Sequence, residues 1–217
     1  MKSSTLLFLL LCSIFNSFSQ SHKKHLIGVN GGISIPIPDY SKHRAYAVTG
    51  ASLFLNYNYS FKKKLAATIN IGFGNNKENK DQYRNFEGSR RIHNVGYSVL
   101  GVRVSFGDRL RAYVNPVVGV GSYHTIGADG VAYFYSNGLK QEYKFNQEDT
   151  KLVLGLMYGG SIGTLYQLSE KISVTINLLV LNSDFKEIDV DYYNNRTIQY
   201  DQWYSTANFT LGIGYSF

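Results

Sequence analysis

Apolar residues recur at every second position in eight separate stretches of this chain, and a period of two marks a strand with two unlike faces. In the first stretch, Leu26 to Ile35, the residues Ile27, Val29, Ile33 and Ile35 fall on one side, with Gly28, Asn30, Gly32 and Ser34 on the other. The second, Tyr46 to Tyr59, aligns Ala51, Leu53, Leu55 and Tyr57. The third, Leu65 to Gly74, sets Leu65, Ala67, Ile69, Ile71 and Phe73 against Thr68, Asn70, Gly72 and Gly74. The fourth, Ile92 to Phe106, changes phase between Val95-Tyr97-Val99 and Leu100-Val102-Val104, which predicts a β-bulge near Val99. The fifth, Arg111 to Tyr123, aligns Val114, Pro116, Val118 and Val120; Pro116 cannot donate a ladder bond, so a bulge or an open ladder is expected there. The sixth, Leu152 to Leu168, aligns Leu154, Leu156, Tyr158 and Ile162. The seventh opposes Val174, Ile176, Leu178 and Val180 to Ser173, Thr175 and Asn177. The eighth opposes Ala207, Phe209, Leu211, Ile213, Tyr215 and Phe217 to Asn208, Thr210, Gly212, Gly214 and Ser216.

The connections alternate in length. Long segments (36–45, 75–91, 124–150 and 182–202) are interleaved with the short turns 60–64, 107–109 and 169–170. An even number of strands, short turns at one end and long loops at the other is the layout of a bacterial outer-membrane barrel, with the short turns periplasmic. The stretches also reach the ~9–11 residues that a tilted strand needs to cross hydrocarbon.

The character of the two faces says which one meets lipid. A soluble barrel packs large apolar side chains inside and carries charge outside. Here one face is large and apolar, and the other is Gly, Ser, Thr and Asn almost without Lys, Asp or Glu. Small polar residues suit a narrow interior, and closure pairs every backbone group, as a bilayer demands. The prediction is an all-β fold, an eight-stranded antiparallel up-and-down transmembrane β-barrel. Strand direction places Tyr57, Tyr59, Phe106, Tyr166, Tyr215 and Phe217 at the periplasmic rim and Phe73, Tyr123 and Tyr204 at the outer rim, as two aromatic girdles.

Ahead of the first stretch, Lys2, the apolar run Leu6 to Leu11 and the small or polar Ser17, Ser19 and Gln20 follow the order of a secretory signal peptide. The expected division is residues 1–20 as signal peptide and 21–217 as barrel. Cys12, the one cysteine, lies inside the apolar run as Ile14 and Phe15 extend it, without a small residue before it, so lipidation is not expected and the mature chain has no thiol chemistry. With 18 Tyr, 13 Phe and only 3 Pro, the composition favours strands. The net charge of +7 falls to +6 with Lys2 removed. For an exported protein that charge points to anionic lipid head groups rather than to nucleic acid, and Lys62-Lys63-Lys64 sits on a short turn within their reach.

The opening Ile27-Gly28-Val29-Asn30-Gly31-Gly32 and the closing Leu211-Gly212-Ile213-Gly214-Tyr215-Ser216-Phe217 resemble those of the OmpA/OmpX-like small outer-membrane barrels, the porin-like family with an unadorned barrel domain. The resemblance spans residues 21–217. It implies residence in the outer membrane as a monomer. It also implies that Leu211, Ile213, Tyr215 and Phe217 form the terminal signal read by the barrel-assembly machinery. Some members of such families serve in secretion systems for surface proteins.

No catalytic, cofactor or metal constellation is expected. Of the histidines beyond the signal peptide, His22, His25, His43, His93 and His124, only His22 and His25 approach metal-ligand spacing, in what reads as a solvated leading segment. Ser122, His124 and Asp129 could be imagined as the triad of a lipid-modifying enzyme, but a triad is defined by geometry rather than by sequence proximity. Gly159-Gly160-Ser161 lies in a strand with no helix after it, so it is no phosphate loop. Arg103 is expected to face inward and to pair with a carboxylate or carbonyls, with Glu142, Asp149 and Glu170 as candidate acids. Within the long loops, Asn137-Gly138 between Val131–Tyr135 and Leu139–Phe145 predicts a hairpin. A second is expected about Asn194-Asn195, between Ile188–Tyr193 and Thr197–Tyr200. Tyr133, Tyr135, Tyr143, Tyr192 and Tyr193 are then the candidate surface for an external or secretion partner. A small pore and a lipid-modifying enzyme are the alternative functions; eight strands leave an interior only wide enough for side chains, which weighs against the pore.

Overall fold

The computed structural model describes residues 24–37, 48–77, 86–89, 92–127, 129–136, 139–146, 152–191 and 196–217. Residues 1–20, the expected signal peptide, lie outside them, as do His22, His43, Asp149, Tyr192 and Tyr193. Among the described residues there are eleven strands: β1 (His25–Pro36), β2 (Gly50–Lys62), β3 (Leu65–Lys77), β4 (Phe86–Gly88), β5 (Ile92–Phe106), β6 (Leu110–Ile126), β7 (Asp129–Ser136), β8 (Leu139–Asn146), β9 (Val153–Gln167), β10 (Ile172–Asp191) and β11 (Arg196–Ser216). Eight of them close a barrel in the order β1-β11-β10-β9-β6-β5-β3-β2. Every neighbouring pair is antiparallel. The other three, β4, β7 and β8, form a separate sheet.

The register fixes the barrel's shape. A path along the hydrogen bonds leaves β10 at Asn182 and crosses Tyr158, Val118, Leu100, Ile69, Tyr57, Ile27 and Tyr215. It returns to β10 at Ile172, so the stagger around the barrel is 182 − 172 = 10 residues. With a rise of ~3.3 Å per residue and strands ~4.8 Å apart, that stagger tilts the strands by about 40°. Ten residues then climb about 25 Å along the barrel axis, the height of the apolar band of such barrels. On the outer face of β10 the apolar run Ile172 to Val180 ends at Asn182, at that height.

The outer surface is apolar, as the alternation predicts. Leu55, Ile71, Val118, Ile162, Leu211 and Ile213 are all exposed, with Ile213 at 66 %. The inner face carries the buried Asn30, Asn56, Thr68, Asn70, Asn115, Thr175, Asn177 and Thr210. At the end with the short turns these residues satisfy one another. Asn56 donates to Asn70 at 2.6 Å, Thr68 to Asn115 at 3.1 Å and Thr175 to Asn30 at 2.7 Å.

The other half of the interior departs from the expected small polar lining. Phe54, Val95, Tyr97, Val99, Val117, Met157, Leu179, Leu181 and Phe185 form an apolar cluster inside the barrel. This accounts for the phase change in β5. No bulge occurs at Val99, because β5 keeps one register with β3 and with β6 along its whole paired length. Val95, Tyr97 and Val99 point into the interior, while Leu100 and Val102 point to lipid. Two expected girdle residues turn inward for the same reason: Tyr123 and Tyr204 are buried in this cluster, their ring centroids 5.9 Å apart. Phe73 is exposed on the outer face as expected. Gly121 leaves the space that Met157 fills, since a Cβ there would lie 2.1 Å from the Met157 sulfur.

The ladder at Pro116 is locally open. Pairing between β5 and β6 stops after Gly101–Val117 and resumes at Val104–Val114 without a change of register, as a residue lacking an N–H requires. On its other edge Pro116 stays paired with Gly160.

Candidate functional site

Three regions could carry function: the seam between β1 and β11, the sheet and hairpin beyond the barrel, and the interior at the short-turn mouth. At the seam, β1 pairs with β11 from Leu26–Ser216 to Pro36–Thr206. Leu211, Ile213, Tyr215 and Phe217 all face outward along β11. The backbone of His25 exchanges two hydrogen bonds with Phe217, of 3.2 and 3.0 Å. Their rings stack at 5.2 Å and 11°. His25 also lies against Tyr59 and shares a 2.9 Å hydrogen bond with the Tyr57 hydroxyl. His25, expected in a solvated leading segment, instead opens β1 and ties it to Phe217 within the rim of aromatics.

Beyond the barrel, the predicted hairpin forms. β7 pairs with β8 from Asp129–Asn146 to Ser136–Leu139, which leaves a two-residue connection at Asn137-Gly138. The second hairpin continues the barrel itself, with β10 and β11 paired without interruption out to Asp191–Arg196. β4 was not anticipated: a three-residue strand inside the long segment 75–91, it pairs Glu87 with Val131. Gly88 adopts φ +152°, and the Ser89 amide donates to the Asp129 carbonyl at 2.8 Å. Of the candidate tyrosines, Tyr133 is half-buried under the Lys140 ammonium, 3.6 Å from its ring centroid. Tyr135 stands opposite Lys140 in the register, and Tyr143 opposite Ala132, out of phase with the other two.

Ser122, His124 and Asp129 do not form a triad. Ser122 and His124 alternate with the inward Tyr123 and Thr125 on β6, and Asp129 pairs with Asn146 in the separate sheet. Among the described residues, no group of three His, Cys, Asp or Glu side chains could hold a metal ion.

At the short-turn mouth Arg103 does face inward, and it is 7 % exposed. Among the described residues it finds no acidic partner, and the candidate Asp149 lies outside them. Its guanidinium lies 4.0 Å over the ring of Tyr113, and its Nε has no hydrogen-bond partner. Glu142 is opposite Tyr133 in the separate sheet, and Glu170 lies on the turn between β9 and β10. Tyr113 in turn donates to Asn177 at 2.9 Å.

No family model matches the chain, and no curated protein matches it in sequence. Solved structures do match in fold. Neisserial surface protein A superposes with a TM-score of 0.51 at 9 % identity, covering 89 % of this chain and 97 % of that one. Ail, the attachment invasion locus protein of Yersinia pestis, in complex with the heparin analogue sucrose octasulfate, gives 0.52 at 13 % identity, covering 90 % and 100 %. OprG of Pseudomonas aeruginosa gives 0.50 at 14 % identity, covering 92 % and 99 %. The chain has the fold of these small outer-membrane β-barrels, with the apolar exterior of a protein seated in the outer membrane.

Proposed function

We propose that the barrel is a non-catalytic interaction protein whose long-loop end meets another protein, one of the cell surface or of a secretion system for surface proteins. The observation that carries this reading is the filled interior. Where the apolar cluster sits, aromatic and aliphatic side chains from six barrel strands occupy the lumen, and an eight-stranded barrel has little further room. What such a barrel presents to its surroundings is its surface, and the long-loop end carries the most elaborated part of it. The β4-β7-β8 sheet and the prolonged β10–β11 hairpin give that end ordered backbone, which lowers the entropy cost of binding. The residues Leu211, Ile213, Tyr215 and Phe217, exposed on the outer face at the seam between β11 and β1, are proposed as the contact for the assembly machinery.

Two measurements test the reading together. Purified barrel in a planar bilayer should show no conductance steps; reproducible steps would favour the pore instead. Deleting residues 129–146 should leave a heat-modifiable barrel in the membrane and remove proteins crosslinked to it in intact cells. Crosslinks that survive the deletion would overturn the assignment of the binding surface.

A further inference from the structure

The short-turn mouth of the lumen holds more positive charge than the described residues neutralise. A cavity of about 40 Å³ opens there, lined by Lys63, Lys64, Arg103, Arg111 and Tyr113, and no acidic side chain lines it. At ~10–15 Å³ for each water-sized centre, it has room for about three waters or one small polyatomic ion. Asp108, on the turn between β5 and β6, takes up part of the charge from outside the cavity. Lys63 Nζ lies 2.8 Å from its carboxylate, and Arg111 Nε donates to its backbone carbonyl at 2.7 Å. Neither contact reaches Arg103, whose contact is the face of Tyr113. Its Nε is buried without a hydrogen-bond partner.

A guanidinium more than nine-tenths buried and lacking a counter-charge is costly. A ring face offsets only part of that cost. The planar donor fork of arginine matches the oxygens of a phosphate or carboxylate. Lys64, on the two-residue turn between β2 and β3, adds a mobile ammonium to the same wall. The Asn58 and Ser60 side chains add neutral polar groups.

We infer that this mouth is an anion site, with Arg103 as its anchor and Lys64 and Arg111 as its rim, and that it takes the oxyanion of a phosphate group. The phosphate belongs either to a solute entering from the periplasm or to a lipid head group at the inner leaflet. The inference is independent of any partner at the opposite end of the barrel.

The test uses the full barrel folded in a neutral detergent. Inorganic phosphate is titrated by calorimetry against sodium chloride of matched ionic strength, and mixed micelles containing phosphatidylglycerol are titrated separately. Saturable binding of phosphate identifies a solute site, and saturation by phosphatidylglycerol alone identifies a head-group site. In either case Arg103→Gln should weaken binding at least tenfold, and Arg103→Lys should restore only part of it. Lys64→Gln should weaken it about threefold. Should Arg103→Gln fail to give a heat-modifiable barrel, the double variant Lys64→Gln with Arg111→Gln, both on the rim, takes its place and should also lose at least tenfold. Chloride and phosphate acting alike, or binding unchanged in these variants, would overturn the site.

Discussion

The hydroxyl of Tyr204 donates a 2.5 Å hydrogen bond to Asn76 Oδ1, joining β11 to β3 across the lumen, two strands past its own neighbour. The same Asn76 oxygen accepts from Ser34 on β1, and its amide donates to the carbonyls of Ser34 and Val48. One asparagine therefore gathers three strands and the segment before β2. Tyr204→Phe should keep the packing against Tyr123 and lose the hydrogen bond, costing about 1 kcal/mol. Tyr204→Ala should cost about 3–5 kcal/mol, because it also opens a cavity in the luminal cluster. Urea unfolding in detergent measures both; equal costs for the two variants would show that the hydrogen bond, not the ring, holds the cluster.

The pairing of His25 with Phe217 predicts how the terminal residue acts. Deleting Phe217 removes two backbone bonds at the seam and the stacked ring, whereas Phe217→Ala removes only the ring. Deletion should slow assembly and leave chain in the periplasm, and Phe217→Ala should show a weaker form of the same defect. Fractionation of pulse-labelled cells distinguishes them. Normal yield of heat-modifiable barrel after deletion would remove the proposed assembly role.

The β7–β8 ladder predicts slow amide exchange at its hydrogen-bonded positions from Asp129 to Asn146, in detergent and in bilayer alike. Protease added to intact cells should cut the long-loop end and spare the turn at Lys63-Lys64. Fast exchange throughout 129–146, or cleavage at the lysine turn from outside, would refute the hairpin and the orientation respectively.

The turn at Asp108 predicts an acid-side response. The hydrogen bond and charge of Lys63 hold the Asp108 carboxyl below the ordinary carboxylate range. A depressed acid adds stability that is in place above its unfolded pKa and is lost as pH falls through its folded value. The Lys63–Asp108 bridge should therefore persist unchanged from pH 8 to pH 5 and open only at more acid pH. A carboxyl carbon titration by NMR checks this, and an Asp108 midpoint at or above the normal value would contradict the bridge. Asp108→Asn should leave the Lys63 ammonium, which already lines the cavity, without its carboxylate and so strengthen phosphate binding at neutral pH.

What the chain determined by itself is the local part of this structure. Alternation from Ile27 to Ile35 or from Ala207 to Phe217 is a property of neighbouring residues, and a bilayer outside with a narrow interior inside leaves one solution for it. The Asn137-Gly138 hairpin is local for the same reason. Tertiary structure decided everything that depends on height along the barrel. Alternation tells the two faces apart only where one is polar, and in the half of the barrel that holds the apolar cluster neither face is simply polar. There Val95, Tyr97 and Val99 face the interior although they are as apolar as Leu100 and Val102, which face lipid. Tyr123 and Tyr204 turn inward by the parity of their own strands, and the ten-residue stagger, which no single segment encodes, decides which side chains share their level in the lumen. The β4–β7 pairing joins residues more than forty positions apart, and its three residues are too few to show a period. Arg103 could be placed inside from its phase alone. That it meets the face of Tyr113 rather than a carboxylate is settled by which side chains the closed barrel brings to the same level.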